Sequence, residues 1–427
     1  MRFILDIIYL FAACAYLPSF VFKGKHRLGI RQRFGIYAPD IRIAFKANQP
    51  RLWLHAVSVG EIKAAAALIE ALRSRFPGLR FVISTITPTG NTVARQLAAR
   101  EDIVIYFPFD LSLVVKKAVS MINPAAVLIM ETEIWPNFIH ELSAQHIPVA
   151  IVNGRISDKA FPRYRRGKFI FQEALKNIGI FCMQTENDAS RIIELGADKQ
   201  KVHIAGNIKF DQVKPAAASL PLRLGLKAHE RLLVAGSTHD NEEEMITRVF
   251  LKLKPKYSFL RLLLAPRHPH RAAAVEKMLK QNGLFVQLIS RLAADEREIE
   301  KDAVFLLDVM GILNRVYRLA DIVFIGGSLV RHGGQNPIEA AACGKPVVFG
   351  RYMYNFSKIA KMFLDNKAAL SVSDEDGLFT ALDELLRDPG KKKQLAQNAQ
   401  RLVDKNKGSV QRIIELLEKK SFFAKYG

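Results

Sequence analysis

Cysteine is scarce: Cys14, Cys182 and Cys343 are the only three in 427 residues, and they form no paired spacing. A disulfide framework and a cysteine-based zinc site are not expected, and a reducing compartment fits. The ten histidines include no HxxxH or HExxH pair, so no metal site is expected, and both GxGxxG and a Walker lysine motif are missing. Acid is short beside base, with 41 Asp and Glu against 63 Lys and Arg and a formal charge of +22. Such an excess calls for an acidic partner, whether nucleic acid, an anionic membrane or a phosphorylated substrate. With 49% hydrophobic and 24% charged residues the composition is globular, which rules out a largely disordered chain. The length suits two or three domains.

One run is both long and apolar. From Phe3 to Phe22 only Asp6, Pro18 and Ser19 interrupt it. Twenty residues at helical rise span about 30 Å, the thickness of a hydrocarbon core. Lys23, Lys25, Arg27, Arg31 and Arg33 follow with no acid among them, against one Arg ahead of the run. That asymmetry directs the following chain toward the cytoplasm. A single membrane anchor over 1–22 is expected, with a buried first helix or an in-plane anchor as the alternative. Nucleic acid falls behind a membrane as the partner.

Beyond residue 50, short apolar runs alternate with helical patterns. Leu52–Val57, Leu79–Thr85, Ala125–Met130, Pro148–Val152 and Ile178–Met183 read as buried strands, and Leu232–Ala235, Phe259–Ala265, Val304–Leu307, Ile322–Ile325 and Pro346–Phe349 resume the rhythm. Strand-then-helix units in both halves predict two doubly wound parallel sheets. Domains are expected at 23–212 and 227–427, joined by a linker at 213–226 rich in Pro and Ala, and the second ends in a helical, Lys-rich tail. Two such sheets suggest a cleft lined by loops at the carboxyl ends of their strands.

Several of those loops are chemically distinctive. His55–Glu61 ends a strand and opens a helix, leaving Glu61 beside Gly60. A partly desolvated carboxylate there could act as a general base, or Glu61 could simply complement the helix dipole. Ser84–Asn91 offers hydroxyls for a ligand or for an N-cap. Glu131 and Glu133 follow another strand beside Trp135; if the segment stays extended both point to one face and could line the cleft, or the pair could cap the next helix. Lys209, in Gly206–Asp211, precedes the linker. Gly236–His239 reads as a phosphate-capable turn, and Arg267 can present a planar fork to phosphate or carboxylate. In Gly326–Glu339 the glycines let backbone amides approach a ligand, Pro337 suits a first helical position, and Glu339 could meet ribose hydroxyls.

At these residues the chain resembles the 3-deoxy-D-manno-octulosonic acid (Kdo) transferases of lipopolysaccharide biosynthesis. The motifs are HAVSVGE at 55–61, TPTG at 87–90, METEIWPN at 130–137, GNIKFD at 206–211, GSTH at 236–239, PRHP at 266–269 and GGSLV…GGQNPIEAAA at 326–342. The resemblance implies an α/β GT-B fold and an inverting transfer from CMP-Kdo to a lipid A precursor, at the cytoplasmic face of the inner membrane, with no cofactor. It places the general base on Glu61 and a transition-state-stabilising pair on Glu131 and Lys209. The CMP site falls on Pro266, Arg267, Met310, Gly311, Ile312, Asn336, Pro337, Ile338 and Glu339. Three positions depart from the family pattern: Ile312 stands for a common Glu, Gln335 for His and Asn241 for Gly. Arg155, Lys159, Arg163, Arg165, Arg166 and Lys168, with Phe161 and Tyr164 interleaved, form a candidate basic cluster for the phosphorylated glycolipid acceptor. Alternatives are a membrane-associated GT-B transferase using a UDP-sugar, and a non-catalytic basic binding protein tethered to the membrane.

Overall fold

Runs buried on both faces need partners on both edges and helices above and below, and that requirement shapes both halves of the chain. The computed structural model describes residues 5–7, 9, 28–46, 49–212, 224–292 and 302–424. The chain divides into two units, Met1–Gln212 with Lys407–Gly427, and Val213–Asn406.

In the first unit the strands are β1 (Arg51–His55), β2 (Arg80–Thr85), β3 (Ile103–Tyr106), β4 (Ala126–Met130), β5 (Val149–Gly154), β6 (Ile180–Met183) and β7 (Val202–Ile204). They form one sheet in the order β3-β2-β1-β4-β5-β6-β7, and every pairing is parallel. The second unit holds β8 (Arg231–Thr238), β9 (Leu260–Pro266), β10 (Val286–Leu288), β11 (Val304–Leu306), β12 (Ile322–Ile325), β13 (Val347–Gly350) and β14 (Ala369–Val372). Their order is β10-β11-β9-β8-β12-β13-β14, again parallel throughout. Strand order therefore reverses between β1 and β4 in one sheet and between β8 and β12 in the other. Those switch points open crevices at the carboxyl ends of the strands, where ligands of doubly wound sheets bind.

All ten expected strands are present, and four more, β3, β7, β10 and β14, flank them. The carboxyl-terminal segment differs from expectation. Residues 407–427 belong to the first unit, because the helix Ser409–Lys419 packs its buried Ile413, Ile414 and Leu417 into that unit's core. The second unit thus ends at Asn406. Most of the apolar run Phe3–Phe22, and positions 213–223 of the linker, lie outside the described residues. Among the described residues no helix is long and apolar enough to cross a membrane.

Candidate active site

The helix Val59–Arg75 begins directly after β1, and its first turn explains where Glu61 lies. Ser58 is the N-cap and accepts the Glu61 amide N–H at 3.5 Å. The Glu61 carboxylate folds back, accepting the Val57 amide at 2.8 Å and the Ser58 hydroxyl at 3.0 Å. A side chain at Gly60 would meet only Ser58 Oγ, at 3.9 Å, so the surface at Gly60, next to Glu61 in the chain, is open. Glu61 is nonetheless buried. Burial first, and then the charge of Glu131, push its carboxyl up to about 7, against the pull of the Val57 amide, the Ser58 hydroxyl and Arg155.

Glu131 arrives from the neighbouring strand. β1 and β4 are in register, with His55 beside Ile129, so the residues following each strand emerge together at the switch point. The backbone turns at Glu131, where φ is 57°, and does not remain extended. The expectation that Glu131 and Glu133 share a face as i and i+2 of a strand therefore fails. They are instead brought into one electrostatic cluster: burial, then Glu61 and Glu131, raise the Glu133 carboxyl to about 7. Arg155, at the end of β5, is ion-paired with Glu131. Its place in the expected basic rim is corrected accordingly, since a carboxylate already claims its guanidinium.

Lys209 is delivered by polar threading. Asn153 accepts the Ile208 amide at 3.2 Å, and the Asn207 side chain donates to Gln184 at 3.1 Å, so the turn after β7 is drawn back toward β5. Asp211, two residues on, accepts the Gly408 and Val410 amides at 2.6 and 2.7 Å. Burial lowers the Lys209 ammonium, while Glu131 and Glu61 oppose that fall and Arg155 adds to it. One unit thus brings Glu61, Glu131 and Lys209 within each other's field, and adds Glu133 and Arg155. The sequence pairs Glu133 with Glu131 but does not reveal its place beside Glu61.

In the second unit the candidate residues leave adjacent strands. Pro266 closes β9 and Arg267 follows, while Met310, Gly311 and Ile312 follow its neighbour β11. Gly236–His239 end β8, and Gly326–Glu339 follow β12. Asn336 accepts the Ile338 amide at 3.1 Å and donates to Glu339 at 3.2 Å. Burial raises the Glu339 carboxyl, with Asn336 and the Arg267 charge holding it back, so Arg267, Asn336 and Glu339 form one group. Met310 is exposed beside them in strand order, and Ile312 precedes the helix Leu313–Leu319 without a side-chain cap.

One expectation for the glycine-rich loop is corrected. The amides of Gly327, Ser328 and Leu329 donate to the buried Glu242 carboxylate at 2.6, 3.0 and 2.9 Å, with His239 N–H at 3.2 Å. Gly334 and Gln335 amides return to the carbonyls of Gly327 and Gly326. These amides hold the loop together and are not offered to a ligand. Asn241 adopts φ 64° at the start of the helix Glu242–Leu253, as a residue replacing glycine must, and Gln335 meets His239 Nε2 at 3.1 Å.

Residues 28–212 match the family model for 3-deoxy-D-manno-octulosonic-acid transferase, and residues 290–402 match that for glycosyl transferases group 1. A 3-deoxy-D-manno-octulosonic acid transferase of Haemophilus influenzae is 34% identical over 92% of this chain and 92% of its own length. One from Chlamydia trachomatis is 27% identical over 96% of this chain and 95% of its own. Among solved structures, a glycosyltransferase of Rickettsia africae covers 87% of this chain and 99% of its own at a TM-score of 0.51, with 14% identity. That last likeness is one of fold.

Proposed function

The chain belongs to the Kdo transferase family, glycosyltransferases of lipopolysaccharide biosynthesis, and on that premise we propose how its residues carry the reaction. The donor is CMP-Kdo and the acceptor a sugar hydroxyl of a phosphorylated, acylated disaccharide. Glu61 takes the hydroxyl proton as the oxygen bonds to the anomeric carbon. The bond from that carbon to the phosphate oxygen breaks, and CMP departs with its electron pair, so configuration inverts.

Glu131 and Lys209 stabilise charge around the anomeric centre. Arg267 meets the phosphate, and Asn336 with Glu339 hold the nucleotide. Pro266, Met310, Gly311, Ile312, Pro337 and Ile338 complete the nucleotide contacts. An anionic membrane at the cytoplasmic face of the inner membrane supplies the acceptor, and the positive charge of the chain suits both. In the helices Phe161–Arg166 and Lys168–Lys176, the basic residues and exposed Phe169 offer a phosphate-and-acyl landing surface.

The observation that carries this reading is Glu61: a buried carboxyl near neutrality, next in the chain to an unobstructed glycine, at the switch point of one sheet. General bases work best when their pKa lies near the operating pH. Glu61→Gln should lower transfer by roughly 10²–10⁴ while calorimetric CMP affinity is unchanged. Normal turnover by that variant would exclude Glu61 as the base.

A further inference from the structure

Two helices of the first unit begin at residues that cannot cap them. Ser112–Ile122 starts after Leu111 and Pro136–Ala144 after Trp135, and neither side chain accepts a helix amide. Their first amides go instead to carboxylates from elsewhere in the chain. Asp110 accepts Asn137 N–H at 3.1 Å and Phe138 N–H at 2.7 Å. Asp6 accepts the Ser112 amide at 2.9 Å, the Ser112 hydroxyl and the Asn137 side-chain amide at 2.9 Å. The same Asn137 amide donates to the Asp110 carbonyl at 2.6 Å, and the Tyr9 hydroxyl donates to the Asp110 carboxylate at 3.4 Å.

A carboxylate is out of place in an apolar run, because it weakens membrane partition and costs free energy wherever it is buried unpaired. Here Asp6 has three donors, which offset that cost. Their location matters more. Asn137 stands at the start of the helix into which the Glu131–Trp135 loop runs, so Asp6 helps to fix one end of that loop. The other end is held by Glu131 N–H to Val152 O at 3.0 Å, Arg155 N–H to Thr132 Oγ1 at 2.9 Å and Tyr164 O–H to Thr132 O at 3.2 Å. Among the described residues of the amino-terminal segment, Asp6 bonds Asn137 directly, and Tyr9 reaches the same helix start through Asp110.

We infer that Asp6 is a positioning residue, through which the amino-terminal segment holds the Glu131–Glu133 loop in its reacting geometry. The segment is then a working part of the acceptor half-site as well as a tether. The inference rests on Glu61 and Glu131 forming the reacting face, which Glu61→Gln tests separately.

The experiment uses full-length protein carrying Asp6→Ala, Asp6→Asn or Asp6. Four quantities are read: kcat, donor KM, the pH profile and hydrogen exchange. Asp6→Ala should lower kcat roughly ten- to hundredfold, as sub-ångström to ångström misplacements of catalytic groups do, with donor KM unchanged. Exchange at 131–138 should rise while the rest of the first unit keeps its protection. The acid limb of the profile should move to lower pH, because Glu61 would face Glu131 and Glu133 less closely while Arg155 and Lys209 remain. Asp6→Asn keeps one acceptor oxygen for the Ser112 amide and should fall between the two. If Asp6→Ala does not fold, Asp6→Asn alone must show the same changes, reduced. Unchanged exchange at 131–138, or a kcat loss matched by loss of protection throughout the unit with no shift of the acid limb, overturns the inference.

Discussion

At the scale of single residues, the first unit holds two acids whose protons are not independent. Glu61 and Glu133 are each raised to about 7 by burial and by neighbouring carboxylates, so the pair titrates as one coupled system. A base must be deprotonated to act, so kcat/KM should climb with pH through an acid limb near 7. Glu133→Gln removes one negative neighbour, which makes ionising Glu61 easier and should move that limb to lower pH. A limb that stays put on measuring kcat/KM from pH 5 to 9 would show that Glu133 does not face Glu61. The sequence marked Glu61, Glu131 and Lys209 by their motifs. It could not reveal the field of Glu133, because that depends on a left-handed turn at Glu131 and not on strand alternation. Nor could it reveal Arg155 as the partner of Glu131, since a surface cation and a paired one look alike in a row of basic residues.

Elements show a similar division. The ten strands legible in the sequence are the interior ones, whose continuous apolar runs reflect burial on both faces. The other four, β3, β7, β10 and β14, lie at the edges of the two sheets. Three of them are covered less completely: β7 and β10 contain no buried residue and β14 is buried only at its two ends, while β3 is buried throughout but only four residues long. Their short runs carry little signal. The glycine-rich loop after β12 was legible as a feature, but its organising residue was not. Glu242 collects four amides, three of them from Gly327, Ser328 and Leu329 across the switch point. An amide in its place would offer one acceptor oxygen and turn N–H groups toward N–H groups. Glu242→Gln should therefore destabilise the second unit by about 2–4 kcal/mol, the cost of leaving buried donors without partners. CMP affinity should fall with it, as read by urea denaturation and calorimetry. An unperturbed midpoint together with normal CMP affinity would mean the loop holds its shape without that carboxylate.

Over the whole molecule, chain order and structural order part company at the carboxyl end. After the second unit is complete, the chain returns to the first, where Val410, Ile413, Ile414, Leu417, Phe422 and Phe423 are buried in the core beneath β1 and the helix Val59–Arg75. The Asp211 carboxylate supplies the cap that Gly408 cannot, and Arg412 Nε donates to Ala205 O at 2.9 Å. These contacts brace the turn that carries Lys209, so the last residues of the chain support a candidate catalytic group some two hundred positions earlier. Six buried apolar side chains, at roughly 1.5–3 kcal/mol each, compare with the whole stability of a domain, about 5–15 kcal/mol. A variant ending at Asn406 should therefore lose the fold of its first unit, while the second unit, whose core those residues do not enter, should still bind CMP. Limited proteolysis followed by mass mapping distinguishes the outcomes. Cleavage spread across 49–212 with 224–406 protected is expected, whereas equal protection of both would show that the first unit closes its core without the returning helix.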